Sequence, residues 1–474
     1  MKKYSDYMDE ITADELYKGL LAYGMFAEKL PPAFTSETFY NYSLSLPQPF
    51  SKEVHDFINY DSMRNINIPR QMGIPNPMAY QRLCNGLKKN WAQLKQHFHT
   101  YTDADSHIIS RIHIRKMKNI NELFEMNYEN WMNDGSPEDD LLLGKRYIVR
   151  ADISTCFPTI YTHSLCWVLV GKDVSKANRK NGWFNDIDKL CQNLRNGETH
   201  GLMIGPHTSN LLAEIILTVI DSKLSTKKWK FMRNIDDYTC YVESQEEAQQ
   251  FITDLNNELR AFDLPLNHKK TSIETLPVAT AEHWVRKLNA YNLVASYGKV
   301  SYKEARGYFD LAIDLMKTNS QNAAILNYAI KVLAKQKLTD NAKAYCVKTS
   351  MYLAVLFPYL LPILEDYVFA PYGATNVQIQ EFSNIIYRNA LKMCNYEAIC
   401  YSIYYSLKYD FSLNSINAGE ILATDNCLCR LFGMLYYNKR HDSSNLKLFS
   451  DEAKKLKVSD IDMDKNWLFV YETL

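Results

Sequence analysis

Phe231-Met-Arg-Asn-Ile-Asp236-Asp237-Tyr-Thr-Cys-Tyr-Val-Glu243 reads as strand, tight turn, strand, with two adjacent carboxylates at the bend. Holding two like charges together in a folded chain is costly unless a cation compensates, and a divalent metal is the natural partner for such a pair. A plain surface turn is the competing reading, because Asp is a common turn residue. Two further stretches weigh against it.

Upstream, Tyr147-Ile-Val-Arg-Ala-Asp152-Ile-Ser-Thr-Cys-Phe157 is rich in strand-forming residues and ends on an aspartate, followed by small polar residues and an aromatic ring. It reads as a buried strand that delivers one carboxylate. Between the two lies Gly201-Leu-Met-Ile-Gly205-Pro-His-Thr-Ser209-Asn210, a glycine-bracketed loop. The loop runs into the helical pattern Leu211, Leu212, Ile215, Ile216, Val219, with Ser209 or Asn210 placed to cap it. Strand-aspartate, glycine loop with helix, then Asp-Asp hairpin is the order of motifs A, B and C in a reverse-transcriptase palm, and the chain resembles that family.

The resemblance implies an α+β fold, with right-hand polymerase fingers and palm over residues 1–285. It also implies Mg²⁺ or Mn²⁺ held by Asp152, Asp236 and Asp237, and deoxynucleoside triphosphates as substrates. One ion lowers the pKa of the attacking 3′-hydroxyl and another holds the leaving pyrophosphate. Phe157 falls where the family sets a ring against the sugar 2′-carbon to exclude ribose, a plain core aromatic being the competing account. Gly205 and Ser209 fall in the nucleotide-binding loop. Leu264-Pro-Leu-Asn267-His-Lys-Lys270-Thr271 resembles motif D, which makes Lys270 the candidate acid for pyrophosphate, against a solvated lysine.

Ser110-Arg111-Ile-His-Ile-Arg115-Lys116-Met-Lys118 packs four cations and His113 into nine positions. As a strand it would put Arg111, His113 and Arg115 on one face. In the family's chain order this face clamps the triphosphate, and a solvated edge strand is the alternative. Ahead of it, Leu16, Leu20 and Leu21 mark an acidic amphipathic helix, and Thr35 or Ser36 before Glu37 starts another. The proline-punctuated run Asn65–Tyr80 is extended, and a helix follows through Leu83, Leu87 and Trp91.

Between motifs A and B, Thr159-Ile-Tyr-Thr-His163-Ser continues the first strand. Gly171-Lys172-Asp-Val-Ser-Lys176-Ala-Asn-Arg179-Lys180-Asn-Gly182 then sets four cations, Lys172, Lys176, Arg179 and Lys180, against one aspartate as a nucleic-acid contact. This insertion resembles the bacterial abortive-infection, defence-associated reverse transcriptases, over residues 30–280. In the motif B loop the chain departs from the common pattern: Met203-Ile204 stands where a Pro-Gln usually precedes the second glycine, which puts ordinary template reading in doubt. The subgroup implies untemplated DNA synthesis primed on a protein hydroxyl, in antiphage defence, by a bacterial cytoplasmic homo-oligomer. Synthesis templated by a noncoding RNA is the rival, and a decayed palm serving as a nucleic-acid-binding scaffold is the non-enzymatic alternative. Three metal-position aspartates together with Phe157 favour an enzyme.

Bulk composition fits this reading. The 474 residues are 46% hydrophobic and 23% charged, ordinary globular values with room for two or three domains. Formal net charge is zero, so nucleic-acid affinity has to come from local patches. Ten cysteines without a CxxC pair read as reduced thiols. The longest apolar run, Met351–Leu364, carries Pro358 and Pro362 and falls short of the roughly 20 residues of a membrane span, so it reads as buried helix. From about Tyr302 onward amphipathic helices follow one another. Ile325, Leu326, Ala329, Val332 and Leu333 form one apolar face, Ile385, Ile386, Asn389 and Met393 a second, and Ile399, Ile403, Tyr404 and Leu407 a third. The expectation for 286–474 is an all-α domain, HEAT-like by family resemblance, in place of a thumb.

Overall fold

The computed structural model describes residues 2–46, 53–111, 114–116, 137–179, 182–293 and 298–474. These fall into two compact units. One holds 1–27, 35–57 and 73–278, the other 28–34, 58–72 and 279–474.

The first unit begins with α1 (Tyr4–Asp9), α2 (Ala13–Tyr23) and α3 (Glu37–Leu44). The α2 helix buries Leu16, Leu20 and Leu21, and a Thr12/Glu15 capping box starts it. After the two-stranded hairpin of β1 (Phe57–Met63) and β2 (Pro69–Pro75), of which residues 58–72 belong to the second unit, the first unit resumes with α4 (Pro77–Lys89) and α5 (Trp91–Thr102). The helix expected through Trp91 is thus two helices, broken at Asn90, whose side chain bonds back to the Gly86 carbonyl.

A four-stranded antiparallel sheet, in the order β4-β5-β3-β6, is the centre of this unit. Its strands are β3 (Tyr147–Asp152), β4 (Phe231–Asn234), β5 (Asp237–Val242) and β6 (Ser272–Thr275). Alternation decides what each face carries. Val149, Ala151, Phe231, Tyr238 and Cys240 point to the face covered by α6 (His207–Thr226) and α7 (Gln245–Arg260), where Phe251 meets Phe231 at 6.0 Å. On the opposite face Ile148, Met232 and Tyr241 pack with Leu141 at one end of the strands. The other end of that face carries Asp152 and Asp237.

Two expectations in this unit are corrected. Residues 159–164 do not continue β3: short helices Cys156–Thr159 and His163–Val170 follow it, because Thr155 adopts a left-handed conformation (φ 48°) that ends the strand. No strand forms across Arg111 and 114–116 beyond one bridge from Ser110 to Arg233. His113, Lys118 and Lys180 lie outside the described residues.

Among the described residues the second unit is helical apart from the β1–β2 hairpin and one bridge between Val300 and Leu338. Its longer helices are α8 (Tyr302–Thr318), α9 (Ala324–Ala334), α10 (Asp340–Leu356), α11 (Asn376–Met393), α12 (Tyr396–Lys408) and α13 (Cys427–Lys439). The expected faces of α9 and α12 are largely buried, although Val332 and Leu407 are only half-buried. That of α11 is rotated: Ile385 and Met393 are exposed, while Ile379, Phe382, Ile386, Tyr387 and Ala390 are buried, since the larger aromatic rings take the interior. Among the described residues no helix is long and apolar enough to cross a membrane.

Glu397 on α12 anchors the β1–β2 tip within this unit. One carboxylate oxygen accepts from Tyr60 Oη (2.9 Å) and Ser62 Oγ (3.0 Å), and the other accepts from the Met63 amide (2.7 Å). Burial pushes the Glu397 carboxyl upward, and these donors together with Lys29 pull it back in part. Glu397→Ala strands two buried donors and one half-buried amide, so it should destabilise the helical unit by on the order of 3 kcal/mol. Glu397→Gln should cost less. Urea unfolding followed by circular dichroism checks the order.

Candidate active site

Antiparallel register brings the carboxylates together. β3 pairs with β5 so that Asp152 lies directly opposite Asp237, on the face away from the helices. Asp236 occupies the turn, and its carbonyl accepts from the Ile153 amide at 3.0 Å, which extends the ladder past the strand end. Ile235 reaches the turn with φ 55°.

Asp152 is buried and held on both oxygens. Asn267 Nδ2 donates to Oδ1 at 2.7 Å and Lys270 Nζ to Oδ2 at 2.6 Å. The segment supplying them lies along the end of β3, with Asn267 N bonded to the Asp152 carbonyl and Ser154 N to the Pro265 carbonyl, both at 2.8 Å. Its bond to Asp152 raises the Lys270 pKa. In this arrangement Lys270 is ion-paired with Asp152. Asp237 is exposed at the rim, yet the surrounding protein, then the charges of Asp236 and Asp152, push its carboxyl up to about 7.

This excess of negative charge suits a hard divalent cation. Asp152, Asp236 and Asp237 would hold Mg²⁺ or Mn²⁺, which would supply an activated hydroxyl and a counter-charge for phosphate. Among the described residues no group of three or more His, Cys, Asp or Glu side chains is arranged to hold a metal ion by itself.

Motif A and the glycine loop are joined by backbone bonds. Leu202 N donates to the Phe157 carbonyl (2.7 Å), Gly201 N to Ile160 (2.8 Å) and Thr162 N to Thr199 (2.8 Å). Gly201 has φ +90°, and a Cβ there would collide with Arg195 and the Pro158 carbonyl. Phe157, half-buried, sits on this ladder. The capping expectation is corrected: Pro206 is the N-cap of α6, so Ser209 and Asn210 lie within its first turn. Ser209 is buried, in a pocket with Arg195, Leu202 and Met203, and Gly205 adopts φ 130°.

The remaining sequence candidates lie as follows. Arg111 and Arg115 are buried, Arg111 at 3.8 Å from Glu138 and Arg115 over the Tyr7 ring at 4.5 Å. Lys172, Lys176 and Arg179 are exposed, with Lys172 at 4.3 Å from the Trp167 ring centre.

Beneath the hairpin lies a group that sequence reasoning missed. Arg233, fully buried, donates to both oxygens of Asp221 (2.9 and 3.1 Å from Nε), to Glu214 (2.7 Å) and to the Ile235 carbonyl (2.7 Å). Tyr4 and Ser110 hydroxyls also donate to Glu214, at 2.9 and 2.8 Å. Burial opposes the Arg233 charge, but Asp221 and Glu214 more than compensate; burial likewise raises Asp221. A glutamate and an aspartate inside the apolar pattern of α6 were the available signal. Asn267 was missed too, though its neighbour Lys270 was not.

Residues 87–293 match the family model described as reverse transcriptase (RNA-dependent DNA polymerase), and the chain carries a reverse transcriptase domain. Among solved structures it is similar to apo telomerase from Candida tropicalis truncated from the C-terminal domain (12% identity, 55% of this chain and 60% of that one, TM-score 0.33). Apo telomerase from Candida tropicalis also matches (11%, 81% and 75%, TM-score 0.32). So does telomerase from Candida albicans in complex with a fragment of telomeric RNA (12%, 73% and 64%, TM-score 0.31). The chain spans less than two thirds of the length of the first, and overlap of this extent carries no functional argument. No curated protein matches.

The raised Asp237 pKa has a sign. The folded state holds this proton more tightly than the unfolded state, so the group's stabilising contribution is complete below about pH 4 and is lost as pH rises towards 7. Asp237→Asn should therefore leave Tm unchanged near pH 4 and raise it by a few degrees at pH 8 in EDTA. Thermal melts at the two pH values check this.

Proposed function

We propose that the chain is a metal-dependent DNA polymerase of the reverse-transcriptase type that acts in antiphage defence, building DNA without a template on one of its own tyrosines. The observation that carries the polymerase reading is the facing pair Asp152 and Asp237 with Asp236 in the adjoining turn. The defence reading is supported by the cationic insertion 171–182 and by Met203-Ile204 in the glycine loop. On this reading the all-helical unit is the HEAT-like module in place of a thumb, Arg111, Arg115, Gly205 and Ser209 serve the incoming nucleotide, and Lys172, Lys176, Arg179 and Lys180 contact nucleic acid.

Priming on the protein follows from weak provision for an exogenous duplex. Net charge is zero, and phosphate neutralisation supplies most affinity for nucleic acid. A tethered product replaces bimolecular binding by a high local concentration of its 3′ end. Tyr42, Tyr352 and Tyr471 are exposed hydroxyl carriers.

Asp236→Ala with Asp237→Ala should abolish deoxynucleotide incorporation in Mg²⁺ while far-ultraviolet circular dichroism stays unchanged; retained incorporation would overturn the polymerase reading. With Phe157 as sugar gate, Phe157→Ala should raise ribonucleotide use relative to deoxynucleotide use in the same assay. Incubation with labelled deoxynucleotide and no primer should leave label on the protein band through denaturing electrophoresis, released by nuclease. Label that runs free of protein would instead favour an RNA-templated enzyme with an ordinary primer, the activity that the family description names.

A further inference from the structure

Four rings converge just beyond Phe157. Tyr161 stacks on His200 (centroids 4.8 Å apart, planes at 29°), and His163 and Trp167 meet Tyr161 edge-on at 4.8 and 5.7 Å. Tyr161 and His200 also form a backbone bridge, in the same ladder that joins Phe157 to Leu202. The cluster is therefore a direct extension of the backbone that holds the candidate sugar gate. Phe157 and Tyr161 are separated by four residues, of which the first part is helical, so the cluster lies close along the chain to Phe157.

The polar groups around the rings are fixed in place. His163 Nδ1 is bonded to the carboxylate of Asp188, which is buried and accepts a second bond from Gln192 (2.8 Å), with Cys166 Sγ 3.8 Å away. A buried carboxylate on one ring nitrogen sets the orientation of the imidazole and leaves Nε2 as its outer polar atom. Lys172 lies over Trp167 and is exposed, as is His200. Packing alone accounts for Tyr161, but not for an exposed imidazole laid flat on it in a cluster that also carries an exposed cation over Trp167. Rings that offer a free face next to positive charge are what single-stranded nucleic acids bind, base on ring and phosphate on cation.

We propose that Tyr161 and His200 form a stacking platform for a base of a single nucleic-acid strand, with His163 and Lys172 contacting the adjoining phosphate. The inference rests on the polymerase reading and extends it by assigning a strand-binding site outside the carboxylate cluster. The ligand chemistry is shared by a DNA product and an RNA strand.

Fluorescence anisotropy with labelled oligo(dT) and, in a separate arm, oligo(rU), without metal or nucleotide, tests it. His200→Ala, an exposed substitution that leaves the core intact, should weaken binding about tenfold with the salt dependence unchanged. Tyr161→Phe should retain affinity, because the ring remains. Lys172→Ala should reduce the slope of log affinity against log salt by about 0.7, the signature of one lost phosphate contact to a single strand. The arm that binds more tightly identifies the strand. Equal affinity of His200→Ala and the unaltered chain overturns the platform, while incorporation by the unaltered chain still upholds the polymerase. Absent incorporation with His200→Ala still weakened would overturn the polymerase and keep the platform.

Discussion

Arg233 and its two carboxylates are the constraint on which the site depends. Taking three charges out of water costs several kcal/mol per ion, and only close, multiply bonded geometry offsets it. The guanidinium meets that condition by bonding Asp221 and Glu214 on α6 and the Ile235 carbonyl in the turn that carries Asp236. On its backbone, Arg233 pairs with Ile109 and Arg111 at 2.9 and 2.8 Å, so the same residue ties the segment before motif A to the hairpin. Tyr4 brings in the N-terminal helix through Glu214. The Asp-Asp turn is thus fixed from below by charge, and the carboxylates above it stand on a rigid base.

The opposite face of the sheet carries the other carboxylates. Asp152, Asp236 and Asp237 concentrate negative charge on the face opposite Arg233, with Lys270 and Asn267 bonded to Asp152. One face of a short hairpin therefore closes its charges on one another and the other gathers three carboxylates at the end of the strands. Period-two alternation makes this separation possible within a few residues, since Arg233 and Asp237 belong to opposite faces of paired strands.

Sequence showed the ligand-facing half of this arrangement clearly. A strand of β-branched and aromatic residues that ends on Asp152, and an Asp-Asp turn between two such strands, have few alternatives once a glycine loop and helix stand between them. The supporting half was hidden by its context. Glu214 and Asp221 sit in a helix whose apolar pattern dominates any periodicity reading, and Arg233 looks like one more residue of a short strand until its partners are folded onto it. Local breaks were equally hard to foresee. Thr155 turns the chain by a left-handed residue that no strand propensity reveals, and the buried face of α11 is set by Phe382 and Tyr387 competing for the interior rather than by the aliphatic residues beside them.

The central claim is that Asp152 and the Asp236-Asp237 turn form one open divalent-cation site completed by nucleotide phosphates. Electron paramagnetic resonance of Mn²⁺ titrated into the chain, with and without deoxynucleoside triphosphate, tests it most directly. The account predicts tight Mn²⁺ binding that requires the nucleotide and is lost in Asp152→Asn. Nucleotide-dependent binding that survives Asp152→Asn at unaltered affinity would contradict it.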